Sequence, residues 1–455
     1  MSNQIARNNA PFTFAEIRLA TGATSEGEGD VVGVVTDSRQ IEPGNLFVAL
    51  KGEKFDGHDF ISHAQAIGAR SVGSHGEVSL HTADTLQFLG DLARYHRSRF
   101  QIPVVAVTGS YGKTSTRAFI EATLAQKYST LSSQGNFNNE IGLPMTLFQL
   151  DGTHEAAVVE MGMRGRGQID YLAKIALPTV AVITNVGPQH IELLGSVEEI
   201  AAAKAEVLES LPEDGLAVLP VDSPHIEFLK SKSPVRVVTF GTGETADYRV
   251  GNVRTREDGN ISCEVNGYAV ALPLPGAHNA TNAAAAFAVA AELGVEPAKI
   301  VAGLEKAVLP GARMRILKLD NGITVIDDCY NAGPDSMRAA LQTLLDFPGG
   351  GRRIAILGAM RELGLHSESE HVKVGRFAGQ FVETLVGVAG DTRPLLNAAV
   401  AAAREVENEM EVHYLDDATE AASRVGEWLQ SGDVVLVKGS RSIGLEVVVD
   451  AVKGI

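Results

Sequence analysis

The sequence predicts an α/β protein in three domains. Three observations carry that reading. At 455 residues, the chain is too long for one hydrophobic core and has the length of about three domains. The stretch VVAVTGSYGKTST, from Val104 to Thr116, reads as a buried strand, a glycine turn and the start of a helix. Residues 312–455 alternate short apolar runs with helix-length segments, the pattern of a parallel sheet with right-handed crossovers. Breaks at Gln101-Ile102-Pro103 and at Pro310-Gly311 divide the chain into 1–102, 103–311 and 312–455.

In the first segment, Val31–Val35 and Leu46–Leu50 are strand candidates, Pro43-Gly44 is a turn, and Phe55-Asp56-Gly57-His58 is a loop. A small α/β domain follows from these. The second segment opens on the glycine turn. Glycines let backbone N–H groups approach a phosphate, and the helix N-terminus adds partial positive charge. Lys113 is placed to reach the outer phosphates and the Thr114 hydroxyl to hold magnesium. The pattern is TGxxGKT, shorter than the common P-loop, which has glycine where this chain has Val107. The bland alternative is a turn whose glycines only permit tight packing, but lysine followed by hydroxyl has no packing reason there. The second domain is therefore expected to be P-loop ATPase-like, on a mostly parallel sheet.

Further along, SSQGNFNNEIGLP is a loop dense in amides. The strand candidate Ala156–Val159 ends in Glu160, a carboxylate placed for magnesium. Thr179–Ile183 is another strand, followed by a loop with His190. Ser196 and Glu199 predict a capping box for a helix carrying Lys204 among alanines. An exposed helical lysine is the ordinary expectation for such a position. From Leu211 to Pro275 the pattern is β-rich, with Asn266-Gly267 as a hairpin turn, and Asn279 and Asn282 precede an alanine-rich helix. In the third segment, Ile323–Ile326, Ile354–Leu357, Leu385–Val388 and Val434–Val437 read as strands, three of which end in polar loops starting at Asp327, Gly358 and Lys438. This is a Rossmann-like arrangement, yet it has no GxGxxG, which argues against a dinucleotide site.

Bulk composition excludes some classes. With 39 basic and 56 acidic residues the net charge is −17, against general nucleic-acid or membrane-surface binding. Cys263 and Cys329 match no zinc or disulfide spacing. With no apolar run resembling a signal peptide or a membrane span, a cytoplasmic protein is expected.

Taken together, TGSYGKTST, QGNFNNEIGLP, EMG, NVGPQHIELLGS, EEIAAAKAE, HNATNAAAA, DDCYNAGPDS and VKGSRS resemble, in kind and order, the Mur ligases, ATP-dependent amide ligases of peptidoglycan synthesis. TDSRQIEPGNLFVAL and DGHDF are similar to the first domain of the late-acting members. GNFNNEIGLP, DDCYN and KGSRS are similar to the member that joins D-alanyl-D-alanine to a UDP-N-acetylmuramoyl-tripeptide. The resemblance implies ATP and two Mg²⁺ ions as cofactors, with Thr108, Gly109, Ser110, Tyr111, Gly112, Lys113, Thr114 and Ser115 around the phosphates and Asn279, Arg313, Tyr330 and Asn331 toward the nucleotide. It implies Thr114 and Glu160 on one metal ion, and His190 with a carbamylated Lys204 on a second, Lys113, His190 and Lys204 forming the catalytic set. Thr36, Asp37, Ser38 and Arg39 are then expected at the uridine, Asn138 and Asn139 at the sugar-peptide, and Lys438, Ser440 and Arg441 at D-alanyl-D-alanine, in a monomer. Two departures bear on the acceptor end: Ala359 stands where the family's LGDMxELG has a carboxylate, and Gly333 where DDxYNANPDS has asparagine. The alternatives are another ligase of the same fold, such as a folylpolyglutamate synthetase, which lacks the DSR…DGHDF domain, and a non-catalytic nucleotide-binding paralogue.

Overall fold

In the computed structural model, which describes residues 7–25 and 27–454, three α/β domains surround one central cleft. The first carries the antiparallel pair Pro11–Thr13 and Asp30–Val32 beside a parallel four-stranded sheet, Val34–Val35, Leu46–Val48, Arg70–Gly73 and Leu80–His81. The single strand expected over Val31–Val35 is split at Gly33. Its φ of +84° suits glycine, and a Cβ there would stand 2.6 Å from the Asn8 carbonyl oxygen.

The middle sheet has nine strands. In spatial order they are Tyr268–Ala271, Ile261–Val265, Tyr248–Thr255, Arg236–Gly241, Leu216–Pro220, Val180–Ile183, Val104–Thr108, Ala156–Glu160 and Thr130–Ser132. Pairing is parallel from Thr130–Ser132 through Tyr248–Thr255, and the last two strands are antiparallel. The Asn266-Gly267 turn has φ of 49° and 82°, the left-handed pair that a two-residue hairpin needs. Val104–Thr108 is buried throughout and lies between Val180–Ile183 and Ala156–Glu160. Register sets Val107 opposite Glu160 and Thr108 opposite Ile183. The glycine turn, Glu160 and the loop to His190 thus leave the sheet at the same carboxyl edge, where ligands bind in parallel α/β sheets.

The third sheet runs Arg315–Lys318, Thr324–Asp327, Val434–Lys438, Arg353–Gly358, Thr384–Val388 and Glu411–Leu415. All four expected strands are present. The two unexpected ones, Arg315–Lys318 and Glu411–Leu415, are the edges and are only partly buried, so their sequence lacks the continuous apolar run of a central strand. Arg315–Lys318 pairs antiparallel. No helix among the described residues is long and apolar enough to cross a membrane.

Two helix readings change. Asn279 and Asn282 do not precede the alanine-rich helix but lie inside it, His278–Glu292. Ser196 does cap Val197–Glu209, its Oγ accepting from Glu199 N at 3.2 Å, whereas the Glu199 carboxylate lies 3.6 Å from Arg166 instead of turning back to the cap.

Candidate active site

The helix Lys113–Leu124 starts directly on the glycine turn, with Gly112 as an N-cap that offers no side chain. The first bond back along the chain is Thr116 N to Gly112 O, 2.8 Å, so the first-turn amides ahead of it have no intrahelical acceptor. Asn185, from the loop after Val180–Ile183, holds the turn open: its Oδ1 accepts from Ser110 N at 3.1 Å and from Tyr111 N at 3.0 Å. Two close approaches require glycine. A Cβ on Gly109 would meet Thr184 Oγ1 at 1.9 Å, and one on Gly112 would meet Asn282 Oδ1 at 2.7 Å. The Lys113 ammonium folds onto its own turn, donating to Gly109 O at 2.7 Å and Ser110 O at 3.3 Å.

Thr114 Oγ1 donates to Glu160 Oε2 at 2.8 Å. Asn138 Nδ2 donates to the other carboxylate oxygen at 2.8 Å, and the Arg117 guanidinium lies 3.8 Å from Glu160. Two oxygens this close match the ~3 Å edge of an octahedral Mg²⁺ with ligands at about 2.1 Å, so this pair fits the ion. Lys204 is 1% exposed. No acceptor for its ammonium occurs among the described residues, and Lys113 is the charge it feels. Burial first, then Lys113, pushes its pKa well below the usual lysine range. The ordinary expectation of an exposed lysine therefore fails here, because the alanines around it pack and exclude water. His190 sits at φ 61°, with burial driving its imidazole down to about 4 against the pull of Glu362, whose carboxylate contacts Nδ1. A neutral imidazole with one free ring nitrogen suits a metal ligand.

Lys113, Thr114, Glu160, His190 and Lys204 line a cavity of about 1030 Å³ that also takes in Asn138, Asn139, Arg313, Tyr330, Asn331, Lys438 and Arg441. All three domains contribute to its wall, Leu86 from the first. Arg313 stacks over the Tyr330 ring at 3.7 Å, so that ring face is already covered by a cation. Lys438 Nζ donates to Asp328 Oδ2 at 2.6 Å and to Asn331 O at 2.8 Å. Asn139 Oδ1 turns back to accept from Gly142 N at 2.8 Å.

Other expected residues stand outside the cavity wall. Thr108 is the buried end of its strand, and its Oγ1 has no partner among the described residues. Asn279 is buried behind Asn282, accepting from its Nδ2 at 3.1 Å. Ser440 is buried and accepts from Arg361 N at 2.9 Å. Thr36, Asp37, Ser38 and Arg39 do not line the cavity. Asp37 instead pairs with Arg39 at 2.6 Å within its own turn. Conversely, sequence reasoning assigned no role to Asn185, Asn282, Arg164, Arg166, His278, Asp328 or Glu362. For the two asparagines the signal was their place in the motifs NVGPQH and HNATN; Glu362 stood in RELG.

Three family models match this chain: the Mur ligase family catalytic domain over residues 30–97, the Mur ligase middle domain over 107–290, and the Mur ligase glutamate ligase domain over 312–441. The chain belongs to the Mur ligase family. Among Mur ligases, the UDP-N-acetylmuramoyl-tripeptide–D-alanyl-D-alanine ligase of Synechocystis is 39% identical over 448 residues, 96% of this chain and 95% of that one. The crystal structure of MurF from Acinetobacter baumannii superposes with a TM-score of 0.89 at 31% identity, covering 98% of this chain and 100% of the other. MurF from Thermotoga maritima, solved in complex with ADP, gives 0.80 at 29% identity, covering 92% and 97%.

Proposed function

We infer that this Mur ligase uses ATP to join D-alanyl-D-alanine to a UDP-N-acetylmuramoyl-tripeptide, an amide-forming step of peptidoglycan precursor synthesis that cell-wall growth, shape and division depend on. The observation that carries the reading is the convergence of Lys113, the Thr114–Glu160 pair, His190 and a buried, unpartnered Lys204 in one cavity. Whole-length similarity to ligases of that name supports the substrates, and the ADP complex of a relative supports the nucleotide. We retain the domain limits 1–102, 103–311 and 312–455 and place the reaction in the cytoplasm, where ATP is available.

The chemistry is two displacements between anions or at an acyl centre. The tripeptide's terminal carboxylate attacks the γ-phosphorus, releasing ADP and leaving an acyl phosphate. The amine of D-alanyl-D-alanine then attacks the acyl carbon, expels phosphate and loses a proton. Neutralising charge and aligning the partners supply most of the acceleration in such reactions. The amides of the first helical turn would cradle phosphate oxygens, while Asn185 holds those of Ser110 and Tyr111. The Lys113 ammonium leaves its own carbonyls for the outer phosphates. Thr114 and Glu160 would hold one magnesium ion, and His190 with Lys204 a second; when bound, magnesium offsets the charge of the transferring phosphoryl group.

Lys204 carries the strongest chemical argument. As an ammonium beside Lys113 it repels a cation. Burial and that like charge favour the free amine, which is the form that adds CO₂: the nitrogen lone pair bonds to carbon, a proton leaves, and an anionic carbamate results. That anion suits a hard metal. Lys438 and Arg441 lie on the third domain's side of the cavity and would receive the D-alanyl-D-alanine carboxylate. The test is ADP release over a panel of UDP-muramoyl peptides and amine acceptors. Turnover that requires the tripeptide and D-alanyl-D-alanine together is expected; ADP release indifferent to either would defeat the assignment.

A further inference from the structure

Glu362 belongs to the third domain, in the loop after the strand Arg353–Gly358, yet its carboxylate reaches two loops of the middle domain. One oxygen contacts His190 Nδ1, and the other lies 3.7 Å from the Arg164 guanidinium. His190 follows the strand Val180–Ile183, and Arg164 follows Ala156–Glu160. Glu362 thus bridges the loop that carries His190 and the loop that follows Glu160. The bridge is built with unusual backbone: His190 has φ 61°, Glu362 φ 64° and Gly364 φ 51°. Two of these three are side-chain-bearing residues in a region that L-residues seldom adopt. The main chain seals the same contact, with Glu192 N donating to Glu362 O at 3.4 Å. A Cβ on Gly364 would press on Glu192 Cγ at 3.0 Å, so the two segments lie against each other there.

We propose that Glu362 is the positioning residue for His190, locking its Nδ1 so that Nε2 is presented to the cavity, and that the second metal site is therefore complete only when the third domain is seated on the middle one. Carboxylates that accept from the far nitrogen of a metal-binding histidine fix its tautomer and ring orientation, and their loss typically weakens metal affinity by about 10- to 100-fold. Here that carboxylate comes from another domain, which ties assembly of the metal site to closure. Glu362 is a feature of the ELG sequence that remains intact near the altered Ala359, and it stands behind His190 rather than on the cavity wall. The inference rests on the ligase reading of His190.

The experiment uses the full-length enzyme with ADP and Mn²⁺ as the probe. Bound ions are counted by EPR, and a histidine nitrogen on the metal is read from electron spin-echo modulation. The wild-type protein is expected to bind two ions and show the imidazole coupling. Glu362→Ala should keep the first ion, bind the second at least about tenfold more weakly and lose most of the coupling. Glu362→Gln, which retains an acceptor oxygen, should recover much of both and guards against a simple folding defect. If Glu362→Ala binds the second ion with wild-type affinity and full coupling, the positioning role is wrong while the ligase reading stands. If the wild-type protein itself shows no second ion or no imidazole coupling, the metal role of His190 and the positioning role of Glu362 fall together.

Discussion

Lys204 and Lys438 line the same cavity and are almost equally buried, 1% and 2% exposed, but their surroundings are opposite. Lys438 ends a strand of the third sheet and meets Asp328 and the Asn331 carbonyl. Lys204 sits mid-helix, with Lys113 as its electrostatic neighbour and no acceptor among the described residues. Burial pushes the Asp328 carboxyl above its usual range and the Lys438 ammonium pulls it part of the way back, so each charge of that pair has a partner. Lys204 has nothing to balance it and is driven toward the neutral amine. Burial of a cation therefore does not fix its role. A buried lysine with an anion is anchored by it, and one without it is primed either to lose its proton or to change chemically.

The sharpest way to break this contrast is Lys204→Ala. Ligation should fall by about 10³-fold or more, the scale of losing a main charge-stabilising group, and a small added carboxylate should restore part of it in an ADP-release assay. Turnover within tenfold of wild type would make Lys204 a structural residue. Lys113→Ala should cost about 10³-fold through the phosphates, without rescue by carboxylate; equal rescue of both variants would mean the carboxylate acts elsewhere. Asp328→Ala would leave Lys438 without an anion, holding only the Asn331 carbonyl. It should destabilise the protein by about 3 kcal/mol, seen as a lower denaturant midpoint, and an unchanged midpoint would show that an unpaired lysine costs little here.

The smallest effect concerns a buried base that found half of its partners. His96 donates Nε2–H to Leu150 O at 2.9 Å while its buried Nδ1 has no partner among the described residues. Burial pushes it from 6.5 down to about 4. The unfolded chain therefore binds the extra proton first as pH falls, so this contribution to stability is intact above pH 6.5 and is lost progressively toward pH 4. Between pH 7 and pH 5 the wild-type protein should lose about 2 kcal/mol more than His96→Gln. Parallel pH profiles of the two denaturant midpoints would remove His96 from the account.

Legibility followed sequence separation. The glycine turn, Lys113 and Thr114 are one continuous stretch, so their joint geometry is set locally. Glu160 was readable because a carboxylate at the end of an apolar strand has a known place on a parallel sheet. Asn185 was not, because its task, accepting from Ser110 and Tyr111, exists only once strands some 70 residues apart are neighbours. Asp37 and Arg39 show the converse: polar residues that spend their hydrogen bonds on their own turn. The two altered motif positions gain a physical context as well. A Cβ on Gly333 would meet Gln189 Oε1 at 2.2 Å, and Ala359 is fully buried under the Ser440 loop, its carbonyl accepting from Ser440 N at 3.2 Å. A larger side chain at Gly333 would have to displace that Gln189 amide end.

By itself the sequence determined the fold class, the alternating parallel domains and the phosphate-holding turn, because apolar periodicity and glycine placement act over a few residues. Only the tertiary structure decided that Lys204 stands without an anion, that Lys438 has one, and that Glu362 crosses from one domain to grip His190 in another. Those are facts about which charges meet after folding, and Coulomb and desolvation energies depend on distances in space that spacing along the chain does not encode.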